Sequence, residues 1–585
     1  MRKRHRIRGI VLAAITFAFA LPAAAGSLSP RLQTLADSWR QAPVATLARL
    51  TAASGVQTQI FAPRVSATGR VEVYIRFRPG EMPAAAALAT LGAENVVFSP
   101  ALGIVQAWVP IGRLRETSQL AAVVRVDLPA YGRAKVATLP DAMPRAGGVP
   151  PGLRIDREGI SGLDVQPLVN AGMDGSGLRV GVISVGVDGL SESQNAGYLP
   201  NNVWVAPGLA GEGAEGTAML EEVHAMAPGA ALGFCGPATT VDFVTCLDDL
   251  DNEFNADVIV DDLGFFAAFL FNQPDGDALV NAVGDFIAAH PQINLATAAG
   301  NDALDYFQHA YLADTHPNRI SLHPDYTPGP GQAGGRSYQS AMNFGAAVHQ
   351  HSDATEPTLI APTSLDPAIA LNAFLTWNDP AGGPYDDVDL FLVKANGTVV
   401  ASSTYDQTQG PDPGIGDGEY IYYQNKTGSN QTLYLAALCF QCAHPILIKL
   451  NGFLDGAGTF QYATKGGIFG RAGLAGELAV GAAQVVGGPP AIADMEPFSD
   501  SGPYTYGDWQ SGIQTRPKPD LVGIDGVTVS GAGGFPSPFY GTSAAAPNVA
   551  SVISLLRGAF PDGASNAAGW AQIVDSNANP DALNK

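Results

Sequence analysis

A serine with candidate chemistry lies in the segment FYGTSAAAPNVASVISLL, residues 539–556, between a Gly-Thr pair and a run of small residues that opens a predicted helix. A serine hydroxyl is a weak nucleophile at neutral pH. It needs a base within hydrogen-bonding reach and donors for the oxyanion that develops. Backbone N–H groups and the positive dipole end of a helix N-terminus provide such donors. Ser543 is therefore a candidate nucleophile, and the alternative is a serine that only caps the helix.

The elements around Ser543 follow an α/β pattern. Short apolar runs such as RVGVISV, AALGFC, DVIVDDLG and INLATAA alternate with helix-like stretches over residues 158–353, and the pattern resumes over residues 466–585. Near-continuous apolar strands separated by helices indicate a parallel sheet with both faces covered. The sequence therefore predicts a doubly wound parallel α/β sheet, divided into two parts along the chain.

The interrupting segment and the N-terminal region have different patterns. Residues 354–465 contain strands with turn signals, which predicts a β-sandwich inserted into the α/β domain. Residues 26–134 have the pattern of a small α+β module, and the Pro- and Gly-rich residues 135–157 read as an exposed linker.

The first 25 residues join a basic stretch to an apolar run that is too short to span a bilayer, followed by small residues. This arrangement is typical of a secretory signal peptide, with cleavage expected after Ala25. No later segment has about 20 consecutive apolar residues. We expect a secreted or periplasmic protein without a membrane anchor.

The net charge bears on the partners of the protein, and the cysteines bear on its compartment. The chain has 585 residues and a formal net charge of −22, which argues against a grip on nucleic acid through clustered Lys and Arg. Its four cysteines form two local pairs, Cys235 with Cys246 and Cys439 with Cys442. In an exported protein such pairs favour disulfides over buried thiols or a zinc site.

Several segments together resemble the subtilisin-like serine peptidases. GTSAAAPNVASVISLL is similar to their nucleophile segment, and LATAAGN is similar to the strand that ends in their oxyanion asparagine, here Asn301. ELAVGAA, FSDSGP and KPDLVGIDGV occur in the family's order before the serine. The resemblance covers roughly residues 160–350 and 467–560. It implies a peptidase domain and, for the 26–134 module, a propeptide that assists folding and caps the active site.

The residue at the position of the catalytic base differs from that of the subtilisin-like family. Its His-Gly-Thr motif is replaced by EGTAML, so that Glu215 occupies the histidine position, and none of the nine histidines precedes a glycine. The family's aspartate is also missing, because Ser184 and Val185 occupy the expected place. The sedolisin-type peptidases, which are similar in fold, use a glutamate base with an aspartate four residues later, but that residue is Met219 here. The alternative for Glu215 is an exposed carboxylate that caps the helix.

A second carboxylate must then assist Glu215. Asp261 and Asp262 end an apolar strand, and the carboxyl ends of parallel strands are where open α/β sheets build their sites. Adjacent strand residues point to opposite faces, so one of them should face the cleft. By the family's register this is Asp262. Asp188 is expected to be a turn residue and His224 a half-buried packing residue.

An acidic cluster lies in the predicted sandwich. The segment WNDPAGGPYDDVDLFL contains Asp379, Asp386, Asp387 and Asp389, which carry the hard oxygen donors that calcium prefers. A loop of solvated acids is the alternative. The expected chemistry at Ser543 requires no cofactor.

The sequence thus predicts a secreted serine endopeptidase that hydrolyses polypeptides, with Ser543 as the nucleophile, Glu215 and Asp262 as the base system and Asn301 in the oxyanion hole. A carboxylate base system favours activity at acidic pH. The alternative is an inactive pseudopeptidase of the same fold that binds peptides or a protein partner.

Overall fold

The computed structural model describes residues 26–53, 62–78, 80–134, 158–265, 277–314, 338–349, 365, 370–380, 383, 385–394, 398–409, 418–454, 460–484 and 495–559. The predicted signal peptide, residues 1–25, and the predicted linker, residues 135–157, lie outside the described residues. Secretion and the linker therefore stay predictions.

The N-terminal region forms a small α+β unit. Its elements are β1 (Ser27–Leu28), α1 (Pro30–Gln41), α2 (Pro43–Ala53), β2 (Arg70–Phe77), α3 (Ala85–Thr90), β3 (Glu94–Ser99), β4 (Ile104–Pro110), α4 (Leu114–Ser118), β5 (Val123–Asp127) and β6 (Gly132–Ala134). The first five strands form one sheet in the order β1-β5-β2-β4-β3. α1 begins at a proline, which suits the first helical position because no intrahelical partner is lost there. Leu32 and Leu35 of α1 pack on the sheet together with Val73 and Val105.

The α/β pattern begins after the predicted linker. Its elements are α5 (Glu158–Gly162), α6 (Gln166–Asn170), β7 (Arg179–Ile183), α7 (Leu190–Ala196), β8 (Trp204–Val205), α8 (Glu215–Met226), β9 (Ala231–Cys235), α9 (Thr240–Asn252), β10 (Val258–Asp261), β11 (Leu263–Phe265), α10 (Ala278–Ala289) and β12 (Asn294–Ala298). β7, β9, β10 and β12 are buried except at the first residue of β7 and of β9, as expected for strands that are covered on both faces.

Two antiparallel sheets follow. Their strands and the neighbouring helix are β13 (Tyr306–Ala310), β14 (Ala313–Asp314), β15 (Ser340–Met342), α11 (Phe344–His349), β16 (Ala370–Trp377), β17 (Asp387–Lys394), β18 (Val399–Ser403), β19 (Gly418–Gln424), β20 (Leu433–Gln441) and β21 (Leu447–Leu454). The sheets have the orders β13-β21-β16-β19 and β14-β15-β20-β17-β18 and share one apolar core. They begin before residue 354, the predicted start of the sandwich, because β13, β14 and β15 are too short to show a clear two-residue alternation.

The last elements return to the central sheet. They are β22 (Leu478–Gln484), β23 (Tyr504–Asp508), β24 (Gly512–Arg516), β25 (Leu521–Asp525) and α12 (Thr542–Ala559). The central sheet has the order β25-β22-β12-β10-β7-β9-β8, and all its pairs are parallel. α8 and α12 pack on one face and α9 and α10 on the other. This confirms the predicted mixed α/β fold with a parallel sheet.

Both predicted cysteine pairs are disulfides. Cys235, the last residue of β9, bonds to Cys246 in α9, and Cys439 of β20 bonds to Cys442. Among the described residues, no helix is long and apolar enough to cross a membrane.

Arg471 is a buried cation that joins two strands of the central sheet. Its guanidinium donates to Oδ2 of Asp261 at the end of β10 (2.6 Å) and to Oε1 of Glu477, which precedes β22 (2.5 Å). All three side chains are almost fully buried. Since a buried charge is tolerated only when it is paired, Arg471 allows Asp261 to remain in the interior.

We expect Arg471→Met to lower the free energy of unfolding by about 3–5 kcal/mol, because two carboxylates then lose their buried counter-charge. Urea unfolding measures the change. Arg113→Met is the matched control, since Arg113 pairs with Glu116 at the surface, where such pairs contribute little. Equal stability of Arg471→Met and the wild type would show that this ion pair does not support the sheet.

Candidate active site

Ser543 is the second residue of α12, and its side chain is fully buried. α12 crosses the centre of the sheet, against β10, β12, β22 and β25. The small residues after Ser543 permit this close packing: Ala544, Ala545 and Ala546 are buried, and a Cβ on Gly523 of β25 would collide with the backbone of Ala545. The fold therefore places the serine hydroxyl at a helix N-terminus, beside the carboxyl ends of the strands.

Asn301 lies three residues after the end of β12 and contacts Thr542, the residue before Ser543. Its Oδ1 accepts hydrogen bonds from the backbone N–H and the hydroxyl of Thr542 (2.9 and 3.0 Å). The N–H of Gly300 donates to the same hydroxyl (3.2 Å). Because Oδ1 is held by Thr542, the Nδ2 donor of Asn301 points away from that residue. Thr542, the residue directly before the candidate nucleophile, thus fixes the orientation of the predicted oxyanion donor.

Glu215 is the first residue of α8, and only 6% of its surface is exposed. It is therefore not the exposed capping carboxylate of the alternative interpretation. Its side chain contacts the hydroxyl of Ser543 and the carboxyl group of Asp262. α8 is held in this place by close packing at its first turn, where a Cβ on Gly216 would collide with Phe234.

Asp262 is fully buried and lies directly after β10. Because Ile183 pairs with Asp261 in the parallel register, the next residues, Ser184 and Asp262, lie side by side at the ends of β7 and β10. Asp262 contacts Glu215, Ser184 and Ser543. Neither of its oxygens receives a hydrogen bond of good geometry from a described donor, so these contacts are close approaches rather than formed hydrogen bonds.

The Glu215–Asp262 contact joins two acceptors unless one carboxyl group carries a proton. Burial raises the pKa of Glu215 well above its usual range, and the charge of Asp262 and the contact with it raise it further, whereas Ser543 lowers it. Burial and then the charge of Asp261 raise the pKa of Asp262 to about 7, although Glu215, Ser184 and Ser543 act to lower it. The pair therefore retains one proton to a higher pH than a solvated carboxyl group does.

The other candidate carboxylates lie elsewhere. Asp261 faces the opposite side of β10, where it pairs with Arg471. Asp188 is exposed and accepts a hydrogen bond from the N–H of Gly213 (2.9 Å), as a turn residue does. His224 is half-buried on α8, and burial lowers its pKa. Of the three candidate partners, the structure brings Asp262 to Glu215.

Sequence reasoning assigned no role to Ser184. In the sequence it marks only the place of a missing aspartate, yet its buried hydroxyl faces Asp262. The signal that could have identified it is the parallel register of β7 and β10, which becomes known only when the strand order is known.

The acidic cluster of the predicted sandwich divides into two sets. Asp379 accepts hydrogen bonds from the indole N–H groups of Trp377 and Trp509 (both 2.8 Å). Asp386 bonds to Nδ1 of His444 (2.9 Å) and accepts a hydrogen bond from the backbone N–H of Ala443, between β20 and β21. Both carboxylates therefore accept hydrogen bonds from other groups of the protein.

Asp387 and Asp389 instead face Glu419, a residue that sequence reasoning missed because it lies on another strand. Oxygen atoms of these three buried carboxylates lie within 4.8 Å of one another. Asp389 accepts a hydrogen bond from the hydroxyl of Tyr338 (2.6 Å), and Glu419 accepts one from the N–H of Tyr405 (2.8 Å). Calcium binding in this region stays a prediction, and the oxygens that lie together differ from the predicted set.

A short strand of the N-terminal unit runs along the candidate site. β6 pairs antiparallel with β11, with Ala134 opposite Leu263 and Gly132 opposite Phe265. β11 begins immediately after Asp262. A peptide backbone is thus bound in extended form next to the carboxyl pair.

No protein-family model and no curated protein matches the sequence. Solved structures similar to this chain include the CspB protease of Clostridium perfringens, with 13% identity over 68% of this chain and 87% of that chain and a TM-score of 0.41. A Pseudomonas sedolisin, a serine-carboxyl proteinase complexed with two molecules of pseudo-iodotyrostatin, has 11% identity over 74% and 87% of the two chains and a TM-score of 0.29. MycP1 from Mycobacterium smegmatis has 13% identity over 76% and 83% and a TM-score of 0.28.

The raised pKa of Asp262 predicts a pH-dependent stability. A carboxyl group whose pKa rises from 3.8 to about 7 on folding stabilises the folded state below pH 3.8, and this contribution is lost as the pH rises through 7. Asp262→Asn should therefore match the wild type near pH 4 and be more stable at pH 8, by a few kcal/mol and at most about 4 kcal/mol. Unfolding midpoints from pH 4 to 8 measure this difference. A constant difference between the two proteins at all pH values would contradict the assigned pKa shift.

Proposed function

We propose that this protein is a serine endopeptidase that hydrolyses polypeptides through Ser543, with Glu215 and Asp262 as a shared base system. The observation that carries the proposal is the contact of the Ser543 hydroxyl with both buried carboxyl groups. A serine used only for packing or capping has no need of two acids that are costly to bury. A nucleophilic serine needs a base within hydrogen-bonding reach.

In the proposed reaction, Ser543 Oγ attacks the carbonyl carbon of the substrate while its proton passes to the ionised member of the carboxyl pair. Nδ2 of Asn301 and the N–H groups at the start of α12 stabilise the oxyanion. The pair then donates a proton to the leaving amine as the C–N bond breaks, which leaves an acyl-enzyme. A water molecule attacks this ester, and the carboxyl pair again takes a proton and returns it to Ser543 Oγ.

A pair with one shared proton can both accept and donate, so the singly protonated state is the active one. The proton that remains on the pair can hold the two carboxyl groups together while the other oxygen acts as the base. Ser184 supports the charged form of Asp262 by its contact with that carboxylate. This arrangement would replace the histidine that is missing from the sequence motif.

We further propose that the N-terminal unit is the enzyme's own propeptide and that the chain has a subtilisin-like fold. The pairing of β6 with β11 supports this proposal, because a substrate strand bound in the same way would pass Ser543. Removal of residues up to the predicted linker would then clear the groove. The predicted secretory signal agrees with a protein that matures outside the cytoplasm.

Ser543→Ala should lower the hydrolysis of an unfolded protein substrate by at least roughly 10⁴-fold, because no other group replaces the nucleophile. The variant should also remain full length, whereas the wild type should be cut within residues 135–157. Substrate turnover and the mass of the purified chain measure the two effects. Ser551→Ala is the control, since Ser551 is buried on the same helix but donates to the carbonyl of Pro547 (2.7 Å). An active Ser543→Ala would refute the nucleophile assignment.

The pH–rate profile tests the base. A carboxylate must be ionised to accept the serine proton, so the rate should rise with pH through the pKa of Asp262, about 7 in this state, and fall when the pair loses its second proton. Burial thus moves the expected activity to higher pH than the acidic range that residue types alone favour. Entry of water after release of the N-terminal unit would shift the rising limb back towards acid.

Glu215→Gln should reduce the rate by about 10²–10⁴-fold, which is the usual scale of general-base catalysis, and should remove one limb of the profile. Glu222→Gln is the matched control, because Glu222 is buried on the same helix and binds the side chain of Asn548 instead (2.9 Å). The range from roughly pH 3 to 9 covers the titration of carboxyl and imidazole groups. A folded wild type without turnover anywhere in this range would favour the pseudopeptidase.

A further inference from the structure

The N-terminal unit contacts the α/β domain through one face of its sheet. Tyr74 of β2 and Ile104 of β4 share a buried apolar cluster with Val241 of α9. The hydroxyl of Tyr74 accepts a hydrogen bond from the backbone N–H of Thr240 (3.0 Å) and lies 2.8 Å from its hydroxyl. Because strand residues alternate between the two faces, Glu72, two residues before Tyr74, lies on the same face of β2 and also meets α9.

A glutamine joins a carboxyl group of the N-terminal unit to one of α9. Nε2 of Gln106, on β4, donates to Oε1 of Glu72 (3.1 Å) and to Oδ1 of Asp242 (3.4 Å). The hydroxyl of Thr239 accepts the N–H of Asp242 (3.2 Å) and donates to Oε1 of Gln106 (2.7 Å), which fixes the orientation of the amide. Glu72 and Asp242 therefore share the donors of one amide group across the interface.

A counter-charge for Glu72 lies at the surface. It is the guanidinium of Arg64, which is 4.1 Å from the ring centroid of Tyr131, whereas only 5% of the surface of Glu72 is exposed. Arg70, on the same face of β2, is paired with Glu94 instead (2.6 Å). Tyr131 approaches Glu72, but no donor among the described residues gives its Oε2 a hydrogen bond of good geometry. An ionised Glu72 thus has a solvent-screened cation on one side and a second carboxylate on the other.

Burial is the largest influence on the protonation of Glu72. It raises the pKa from 4.5 to about 7, with a further rise from the charge of Asp242, while Arg64, Tyr131 and Gln106 act to lower it. Burial also raises the pKa of Asp242, so both groups respond in the same direction. A group whose pKa is higher in the docked state stabilises docking fully below its free value, here 4.5, and this contribution is lost as the pH rises through 7.

A further carboxyl group of the interface has a cation of the N-terminal unit within electrostatic reach. Asp277, the N-cap of α10, accepts hydrogen bonds from the N–H groups of Leu279 and Val280 (2.8 and 3.2 Å). Burial raises its pKa to about 6, while these hydrogen bonds and the charge of Arg76 of β2 act to lower it. Ionisation of Asp277 therefore leaves opposite charges across the interface, whereas ionisation of Glu72 leaves like charges.

We propose that Glu72 makes the docking of the N-terminal unit dependent on protons: a protonated Glu72 holds the unit on α9, and an ionised Glu72 favours its release as the pH rises. The inference rests on the proposed role of the unit as a propeptide and adds the regulation of that role. A neutral carboxyl group is far less costly to bury than an ionised one beside a like charge. Since β6 belongs to the same unit and pairs with β11 beside the candidate site, release withdraws this strand as well.

The first experiment measures release without any turnover. In full-length Ser543→Ala, a recognition site for an added sequence-specific protease is placed within residues 135–157, and the chain is cut there. Size exclusion after dilution then gives the dissociation constant of the two pieces. It should be larger at pH 8 than at pH 5, on the order of 10²-fold, because the pKa of Glu72 is 4.5 when free and about 7 when docked. Glu72→Gln keeps the shape without the charge, so its pieces should bind at pH 8 about as tightly as at pH 5.

Glu116→Gln in the same Ser543→Ala chain is the matched control. Glu116 lies on α4, whose Leu114 packs on the other face of the sheet, and it pairs with Arg113 at the surface. This variant should keep the full pH dependence. Pieces that stay together equally at both pH values, or an undiminished pH dependence in Glu72→Gln, would overturn the inference.

Wild type with an active Ser543 tests the link to the proposed peptidase. At pH 8, Glu72→Gln should lengthen the lag before hydrolysis of an unfolded protein by at least roughly 10-fold, while the matured enzyme should keep the wild-type kcat/KM, because Glu72 leaves with the N-terminal unit. A normal lag in Glu72→Gln together with normal turnover would overturn the inference and leave the peptidase intact. Release of the cut pieces that depends on pH and on Glu72, without turnover by wild type, would support the inference and refute the peptidase.

Discussion

Asp261 and Asp262 follow one another at the end of β10 and leave the strand on opposite faces of the sheet. Two buried carboxylates in succession could not both remain in the interior without compensation. Asp261 obtains a counter-charge from Arg471, which also holds Glu477. Asp262 has Glu215 as its neighbour instead, so that this side of the strand keeps a proton. The chemistry proposed for Ser543 depends on this difference between the two faces.

The helices that carry the other groups reach the same place for packing reasons. α12 begins at the carboxyl ends of the strands because its small residues allow it to lie close to β25. α8 begins at Glu215 and packs beside α12 on the same face of the sheet. Both helix N-termini therefore converge on the end of β10, and their dipoles favour negative charge there. Burial opposes that charge and raises the pKa of both Glu215 and Asp262.

Buried acids recur through the molecule. Besides the proposed base system, burial raises the pKa of Glu222, Glu419 and Asp525, while Asp500 packs against Gly300 and Gly467. A chain with a net charge of −22 has few cations with which to pair such groups. Some of its interior acids pair with arginines, as Asp261 does with Arg471 and Asp127 with Arg76 and Arg125, whereas Asp525 accepts a backbone N–H and Glu419 accepts a backbone N–H and a hydroxyl.

Much of this organisation can be read from the residues in order. Apolar runs and their spacing predict the parallel strands, because a strand that is covered on both faces needs apolar residues throughout. The small residues after Ser543 predict close helix packing, and the short cysteine spacings predict both disulfides, since these features depend on neighbours along the chain. Glu215 and Asn301 can be named as candidates from motifs, although a motif alone does not show what their side chains contact.

The tertiary structure decided which carboxylates meet. It brings Asp262, rather than Asp261 or Asp188, to Glu215, and it places Ser184 beside Asp262. It also sets Glu419, rather than Asp379 or Asp386, beside Asp387, and it packs Asp500 between two glycines. Each depends on strand order, register or the space left by a distant residue. A local pattern determines which residues share a face, whereas only the packed chain determines which other face they meet.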